Sequence, residues 1–106
     1  MQVDNVALAA WLTHPRSHTA DIADALQSIV TISAARLNWH GYDRDDAEAS
    51  AFLHCWSRRS SYDPTRCTSA LAYFHTMAHR ALLAWLDSEI RWYRNAAIAA
   101  PSVETG

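Results

Sequence analysis

The scarcity of chain-breaking residues constrains this sequence more than any other feature. Its 106 residues include 2 glycines and 3 prolines, and only Pro15, Gly41 and Pro64 interrupt the chain before residue 100. A β-rich fold of this length needs many turns, and turns favour these two residue types. The three interruptions leave long segments rich in alanine, which has the highest helix propensity, so the sequence predicts long helices.

The composition predicts one packed domain that spans residues 1–106. Half of the residues are hydrophobic and 19% are charged, which is typical of a globular chain rather than a disordered one. No apolar run approaches the length that spans a membrane, and the first residues lack the positive start of a secretory signal. We therefore expect a soluble protein in the cytoplasm, without a membrane partner.

The first predicted helix runs through the segment VALAAWLTH and ends at Pro15. Asp4 or Asn5 is its expected N-cap, and Trp11 and Leu12 are its expected buried side. We interpret residues 1–17 as an accessory N-terminal element, which either packs on the bundle or forms a separate contact.

The second predicted helix covers about residues 20–39. Ser17 or Thr19 is its expected N-cap, and apolar residues recur along it at helical spacing. Gly41 is well placed as the residue that follows the helix in a left-handed conformation.

The third predicted helix begins near residues 43–46 and ends at two arginines, Arg58 and Arg59. Acids at its start and bases at its end match the helix dipole. The i,i+4 pairs of Ala51 with Cys55 and of Phe52 with Trp56 predict its core-facing stripe.

The last predicted helix covers about residues 70–96, with Thr68 or Ser69 as its N-cap. It follows the extended segment before Pro64, because a residue that precedes proline avoids the helical conformation. Residues 97–106 are expected to fray. The predicted fold is an all-α, compact bundle of about four helices.

The charge is distributed unevenly along the chain. The net charge is −2, which argues against a protein that grips duplex DNA unaided. Residues 1–57 carry three Arg and seven acids, whereas residues 58–106 carry six Arg and four acids. This asymmetry predicts two different partners, or one partner contacted through two faces.

Enzymatic and metal-binding functions have little support in the sequence. It lacks a glycine-flanked nucleophile and a glycine-rich phosphate loop, so we expect a protein without catalytic residues and without cofactors. Cys55, Cys67, His75 and His79 could form a zinc site, but neither cysteine belongs to a C-x₂-C pair. Two reduced thiols and two histidines without a metal are the favoured interpretation.

The last helix combines aromatic, hydroxyl and basic side chains. If Phe74 points into the core, Tyr73, Thr76 and Arg80 lie on the flank of the helix. An aromatic ring, an arginine and a small hydroxyl are the groups that stack on unpaired bases and contact phosphate. Periodicity alone leaves this interpretation and that of an ordinary polar flank equally open.

The order of motifs from residue 20 to residue 95 resembles region 2 of bacterial sigma-70-family initiation factors. The resemblance lies in the successive runs DDAEASAFLHCW, SSYDPTR and ALAYFHTMAHRALLAWLDSE. Small extracytoplasmic-function sigma factors share the first part, and the last run is similar to late-transcription sigma factors of tailed phages. The resemblance implies a fold like that of sigma region 2 and a protein that gives promoter specificity to RNA polymerase.

The resemblance also assigns candidate binding residues. It implies that the acid-capped helix docks on the clamp of the large polymerase subunit through Asp45, Asp46, Ala49 and Leu53, with Phe52 and Trp56 as buried support. It implies that the last helix recognises a −10-type promoter element and captures flipped bases of the non-template strand. The DNA-contacting positions implied in this way are Tyr73, Thr76, Met77, His79 and Arg80.

Two departures from the family pattern keep other functions open. Ala47, Ala49 and Ser50 replace the usual Leu-x-Gln-Glu of the docking helix. Asp87 and Glu89 occupy positions where Arg and Lys are common in the family. No second helix-turn-helix domain follows, so a helper protein is expected to replace −35 recognition. The alternatives are a sigma-mimicking polymerase inhibitor or adaptor that does not bind DNA, and an unrelated helical interaction module.

Overall fold

The predicted all-α architecture is confirmed by the computed structural model, which describes the backbone of residues 4–104 and the side chains of residues 4–97. The described chain forms four α-helices: α1 (Asn5–Thr13), α2 (Thr19–Ala35), α3 (Arg44–Ser57) and α4 (Ala70–Glu104). One turn of 3-10 helix at Arg59–Ser61 follows α3. None of the helices formed by these residues combines the length and the apolar character that a membrane crossing requires.

Helix α4 is the centre of the bundle, since α1, α2 and α3 all pack against it. Its buried stripe repeats every four residues through Ala70, Phe74, Ala78 and Leu82. Small alanines alternate with large side chains along this stripe, which lets α2 and α3 approach closely. The fully buried residues of α2 and α3 complete the core: Ile22, Leu26, Ile29, Val30, Ala34, Ala47 and Cys55.

Helix α1 packs on the bundle rather than standing apart. Asp4 caps it, accepting a hydrogen bond from the Val6 amide at 3.0 Å. Leu8 is fully buried, whereas Trp11 and Leu12, the expected buried side, are only partly buried. The prediction missed Leu8 because the first helix is too short for its apolar pattern to define a single face.

The N-terminus of α4 is capped by two side chains, one of which comes from α1. Ser69 Oγ accepts a hydrogen bond from the Ala72 amide at 3.1 Å, which confirms Ser69 as a cap. Asn5 Oδ1 accepts from the Leu71 amide at 2.9 Å and from Ser69 Oγ at 3.2 Å. Two amide donors at the start of α4 are thus satisfied, and α1 is held against that end.

Replacing Asn5 with alanine should lower the free energy of unfolding by about 1 kcal/mol, the usual cost of a lost N-cap. The expected mechanism is loss of the acceptor for the Leu71 amide, measured by urea denaturation. Thr68→Ala is the matched control, because Thr68 is exposed and lies beside the same helix end. Equal destabilisation by both substitutions would show that Asn5 does not stabilise α4 in this way.

Helix α2 ends four residues earlier than predicted, at Ala35 rather than Trp39. The indole Nε1–H of Trp39 donates to the Ala34 carbonyl at 2.9 Å, so this side chain folds back over the helix end. His40 and Gly41 have φ angles of 51° and 86° in a turn that the Tyr42 amide closes on the Trp39 carbonyl. The prediction of Gly41 as the helix-terminating residue was wrong, and Gly41 supplies one of the two positive-φ positions of this turn instead, with His40 at the other.

Two further helix boundaries differ from the prediction. The N-cap position of α2 is His18, without a side-chain cap, and Thr19 is the first helical residue. Helix α4 continues to Glu104, so residues 97–104 are helical rather than frayed, while residues 105–106 lie outside the described range. The alanine-rich run at 96–100 explains the longer helix by its propensity. The helix lengthens the molecule to 61 Å, against 24 and 22 Å across.

Candidate functional site

An open groove of about 600 Å³ lies between the end of α3 and the first turns of α4. Four of the five residues predicted to contact DNA line it: Tyr73, Thr76, Met77 and Arg80. These four follow the spacing i, i+3, i+4, i+7, which places them on one face of the helix. His79, the fifth, is exposed and lies outside this lining.

The opposite wall of the groove consists of residues that were not predicted to contact DNA, chiefly His54 of α3 and Arg58, the C-cap residue of that helix. The Arg58 guanidinium Nη1 lies 3.4 Å from His54 Nδ1. Burial, and secondarily the charge of Arg58, lower the pKa of His54, so its imidazole is neutral at pH 7 and accepts from the guanidinium. This contact places the Arg58 guanidinium beside His54 on the same wall of the groove.

Tyr73 is held by its neighbours without being enclosed. Its ring is half-buried, and the ring centroids of Phe74 and Tyr62 lie 5.1 and 5.5 Å from it. Its hydroxyl is 2.9 Å from Ser61 Oγ, in the 3-10 turn. Contacts with two rings and a hydroxyl fix the orientation of Tyr73 at the wall of the groove.

The segment Tyr62–Asp63–Pro64, called here the Asp-Pro corner, lies in the chain between two residues that line the groove, Ser61 and Cys67. The Tyr62 hydroxyl donates to the Cys67 carbonyl at 2.8 Å. Asp63 Oδ1 accepts from the amide and the hydroxyl of Thr65, at 2.9 and 2.7 Å, and these bonds lower the pKa of the Asp63 carboxyl. The corner is therefore a hydrogen-bonded turn that sets the path from α3 to α4.

A second depression of about 490 Å³ continues the groove along the seam between α3 and α4. It shares His54 and Arg80 with the first and extends to Trp85 and Ser88. Two arginines and no carboxylate line the two depressions within the described side chains. The groove and the second depression together are therefore electropositive, although the whole chain has a net charge of −2. Tyr73 lies in the groove and Trp85 in the second depression.

The residues predicted to dock on polymerase form an exposed stripe on the outer side of α3. Asp45, Ala49 and Leu53 follow one another at i, i+4 spacing, and Asp46 adjoins them. Leu53 is 63% exposed, so its side chain is accessible to a partner. The stripe thus presents two carboxylates at its N-terminal end and an exposed apolar side chain about two helical turns further along α3.

Phe52 and Trp56 support this stripe from the half-buried side of α3. Their rings stack with an interplanar angle of 14° and a centroid distance of 6.1 Å. The guanidinium carbon of Arg59 lies 3.9 Å from the centroid of the Trp56 ring, and Arg59 Nη1 donates to the Trp56 carbonyl at 2.7 Å. These contacts anchor the C-terminal end of α3 to the 3-10 turn.

The four residues considered as zinc ligands are dispersed. Cys55 is fully buried in the core, Cys67 lines the groove, and His75 Nδ1 faces the hydroxyl of Ser33 at 3.4 Å. Burial, followed by the charge of Arg36, lowers the pKa of His75. Among the described residues, no three His, Cys, Asp or Glu side chains are placed to share a metal ion.

The two cysteines should differ strongly in reactivity towards iodoacetamide. Burial raises the pKa of the Cys55 thiol to about 11, so its thiolate population falls about 100-fold below that of an ordinary cysteine. Cys67 should be alkylated rapidly in the folded protein, and Cys55 only after denaturation. Mass spectrometry separates them, because trypsin places Cys55 in peptide 45–58 and Cys67 in peptide 67–80. Similar native rates for both would contradict the assigned packing.

The groove combines one oriented ring, two guanidinium groups and several hydroxyls, which can stack on a planar base and contact phosphate. Comparison of the chain with protein-family models, curated proteins and solved structures gives no match.

Proposed function

We propose that the protein is a sigma-like transcription initiation factor, phage-encoded, that acts in the cytoplasm of a bacterial host. In this proposal the groove receives an unpaired base of the non-template strand at a −10-type promoter element, and the outer stripe of α3 binds the clamp of core RNA polymerase. The observation that carries the proposal is the composition of the groove. The groove is lined on its α4 side by Tyr73, Thr76, Met77 and Arg80, and on the other side by Arg58. No carboxylate is among its described lining residues.

The orientation of Tyr73 supports capture of an unpaired base. Unstacking a base costs a few kcal/mol, and stacking on an aromatic side chain returns about 1–3 kcal/mol. Contacts with Phe74, Tyr62 and Ser61 hold the tyrosine ring in advance, so little side-chain entropy is lost when a base binds. Met77, half-buried on the same face of α4, adds a polarizable apolar contact for the base.

The two arginines of the groove support contact with the strand's phosphates. Arg58 comes from α3 and Arg80 from α4, so they flank the groove from opposite sides. Two local charges on a chain of net charge −2 are too few for tight binding to duplex DNA. Binding to promoter DNA is therefore expected inside the polymerase complex, with a helper protein that supplies upstream recognition.

Docking on the clamp is assigned to Asp45, Asp46, Ala49 and Leu53. Leu53→Arg should weaken binding to core polymerase about tenfold, because it replaces the largest apolar side chain of the stripe by a charged one. The substitution should not change stability, since Leu53 is 63% exposed. Val6→Arg, at a 74% exposed position on α1, is the matched control and should bind normally. Equal affinities of the two variants in a pull-down titration would exclude this stripe as the docking face.

Run-off transcription tests the whole proposal. The protein and the host's core polymerase should together produce a defined transcript from promoters of the source genome, and neither should do so alone. Asp87 is exposed and Glu89 is half-buried. They occupy positions where sigma factors commonly carry arginine or lysine, and these two acids favour the second candidate, a polymerase-binding inhibitor. That function predicts competition with the host sigma factor for core polymerase without any transcript. Failure to bind polymerase would reject both.

A further inference from the structure

A cavity distinct from the groove lies where the turn between α2 and α3 meets the middle of α4. Its volume is about 640 Å³, and Tyr42, Trp85 and Tyr93 form its aromatic walls. The rings of Tyr42 and Tyr93 meet at a centroid distance of 5.7 Å, and Trp85 packs edge-on against Trp39 at 6.3 Å. The walls are therefore held in place by ring–ring contacts.

Three carboxylates stand around this cavity: Asp43, Asp46 and Glu89. Asp43 Oδ1 accepts a hydrogen bond from the Asp46 amide at 3.1 Å, which fixes the turn but leaves the negative charge. Among the described side chains, none of the three has an ion-pair partner. Among the described side chains that line the cavity, His40 alone has a basic group.

Two arginines next to lining residues or close to them in the chain, Arg44 and Arg91, are bound to carboxylates that do not line the cavity. Arg44 Nε is bound to Glu48 at 2.8 Å, and its Nη2 donates to the Thr31 carbonyl. Arg91 Nη2 is bound to Asp87 at 2.8 Å. Both guanidinium groups are thus engaged by other partners, which leaves an excess of negative charge beside two partly buried rings, Tyr42 and Trp85, and the exposed ring of Tyr93.

We propose that this cavity binds an arginine side chain presented by a partner protein. A guanidinium is planar, stacks on aromatic faces and pairs with carboxylates at its edge, so it matches rings on the walls and acids at the rim. The carboxylates do not converge tightly enough to hold a metal ion, as no three His, Cys, Asp or Glu side chains of the described chain do. An ammonium group is smaller and more strongly hydrated, and would not stack on the aromatic rings as a planar guanidinium does.

This inference goes beyond the proposed function. Trp85 and Tyr93 lie outside the α3 stripe, and the cavity shares only Asp46 with it. Its lining also differs from that of the base-binding groove. An arginine site at this place would give the protein a further contact surface, which borders the α3 stripe at Asp46 and the extension of the groove at Trp85.

The test uses N-acetyl-argininamide as the probe and its neutral isostere N-acetyl-citrullinamide as the control ligand. In ¹⁵N NMR spectra of the full chain, the arginine derivative should shift the indole signal of Trp85 and the amide of Glu89 saturably. The citrulline derivative should not. Glu89→Gln should weaken the arginine affinity about fivefold, the expected effect of one partly exposed charge contact.

Asp45→Asn is the matched control, since it removes a neighbouring carboxylate that does not line the cavity. It should leave the arginine affinity unchanged, and Tyr93→Leu should lower it without unfolding, because Tyr93 is 53% exposed. Three results would each overturn the proposal. They are equal signal shifts by both ligands, equal losses of arginine affinity in Glu89→Gln and Asp45→Asn, and tighter binding of tetramethylammonium than of the arginine derivative. Glu89→Gln should retain promoter opening, so failure here is distinguishable from failure of the initiation function.

Discussion

Replacing Phe74 with alanine should lower the free energy of unfolding by about 3–5 kcal/mol. Phe74 is the largest fully buried side chain among those described, and it lies at the centre of the α4 stripe. Its removal leaves a cavity that the neighbouring helices cannot fill, because those helices are fixed by their own contacts with α4. A loss of this size is a large part of the total stability of a domain of this length.

Urea denaturation followed by circular dichroism measures this change. Leu83→Ala is the matched control on the same helix, because Leu83 is 43% exposed and its truncation should cost less than about 1 kcal/mol. The two proteins should have the same dependence of unfolding free energy on urea, so that the midpoint alone differs. If Phe74→Ala were no less stable than Leu83→Ala, the assigned core of α4 would be wrong.

Replacing Tyr73 with alanine should reduce promoter opening by about 5- to 150-fold, which corresponds to the loss of one base stacked on an aromatic ring. The half-buried ring packs against Tyr62 and Phe74, so a moderate loss of stability is also expected. Fluorescence of 2-aminopurine in the non-template strand measures opening in the complete polymerase complex. Affinity for core polymerase should remain unchanged, because Tyr73 lies outside the α3 stripe.

Tyr73→Phe separates stacking from hydrogen bonding. It keeps the ring and removes only the hydroxyl that lies 2.9 Å from Ser61 Oγ. It should retain most of the opening activity, since stacking depends on the ring. Normal opening by Tyr73→Ala, or an equal loss in both variants, would contradict a stacking role for this residue.

The starts of α1, α3 and α4 could be predicted from the sequence because they depend on local side chains, whereas neither predicted N-cap of α2 is the one observed. Asp43, which lies in the predicted start range 43–46, caps α3 by accepting from the Asp46 amide, and Ser69, one of the two predicted caps, caps α4. The end of α2 could not be predicted in this way. It depends on Trp39, which bonds to the Ala34 carbonyl and packs on Trp85, a residue 46 positions away in the chain.

The candidate groove was predictable on one side only. Tyr73, Thr76, Met77 and Arg80 share one helical face, a pattern visible in the sequence. The same spacing sets His79 on another face, so periodicity separates it from the four even though the sigma-family resemblance includes it. The α3 wall could not be anticipated, because its position depends on how α3 packs across α4. In the sequence, Arg58 was explained by the helix dipole alone.

The structure has two oppositely charged surfaces, in line with the uneven distribution of charge along the sequence. The groove contains Arg58 and Arg80, whereas the aromatic cavity contains Asp43, Asp46 and Glu89. They lie on different sides of α4, with Trp85 bordering both the cavity and the extension of the groove. The expectation of two partners, or of one partner with two faces, remains a prediction that the binding experiments above address.

Photochemical crosslinking from the −10 element tests the central claim most directly. A 4-thiothymine is placed at successive positions of the non-template strand, and the complex with core polymerase is irradiated and digested with trypsin. Arg66 and Arg80 bound a single tryptic peptide, 67–80, which carries Tyr73, Thr76 and Met77. Crosslinking to this peptide from one unpaired position is the predicted result. Opening of the promoter without any crosslink to peptide 67–80 would contradict it.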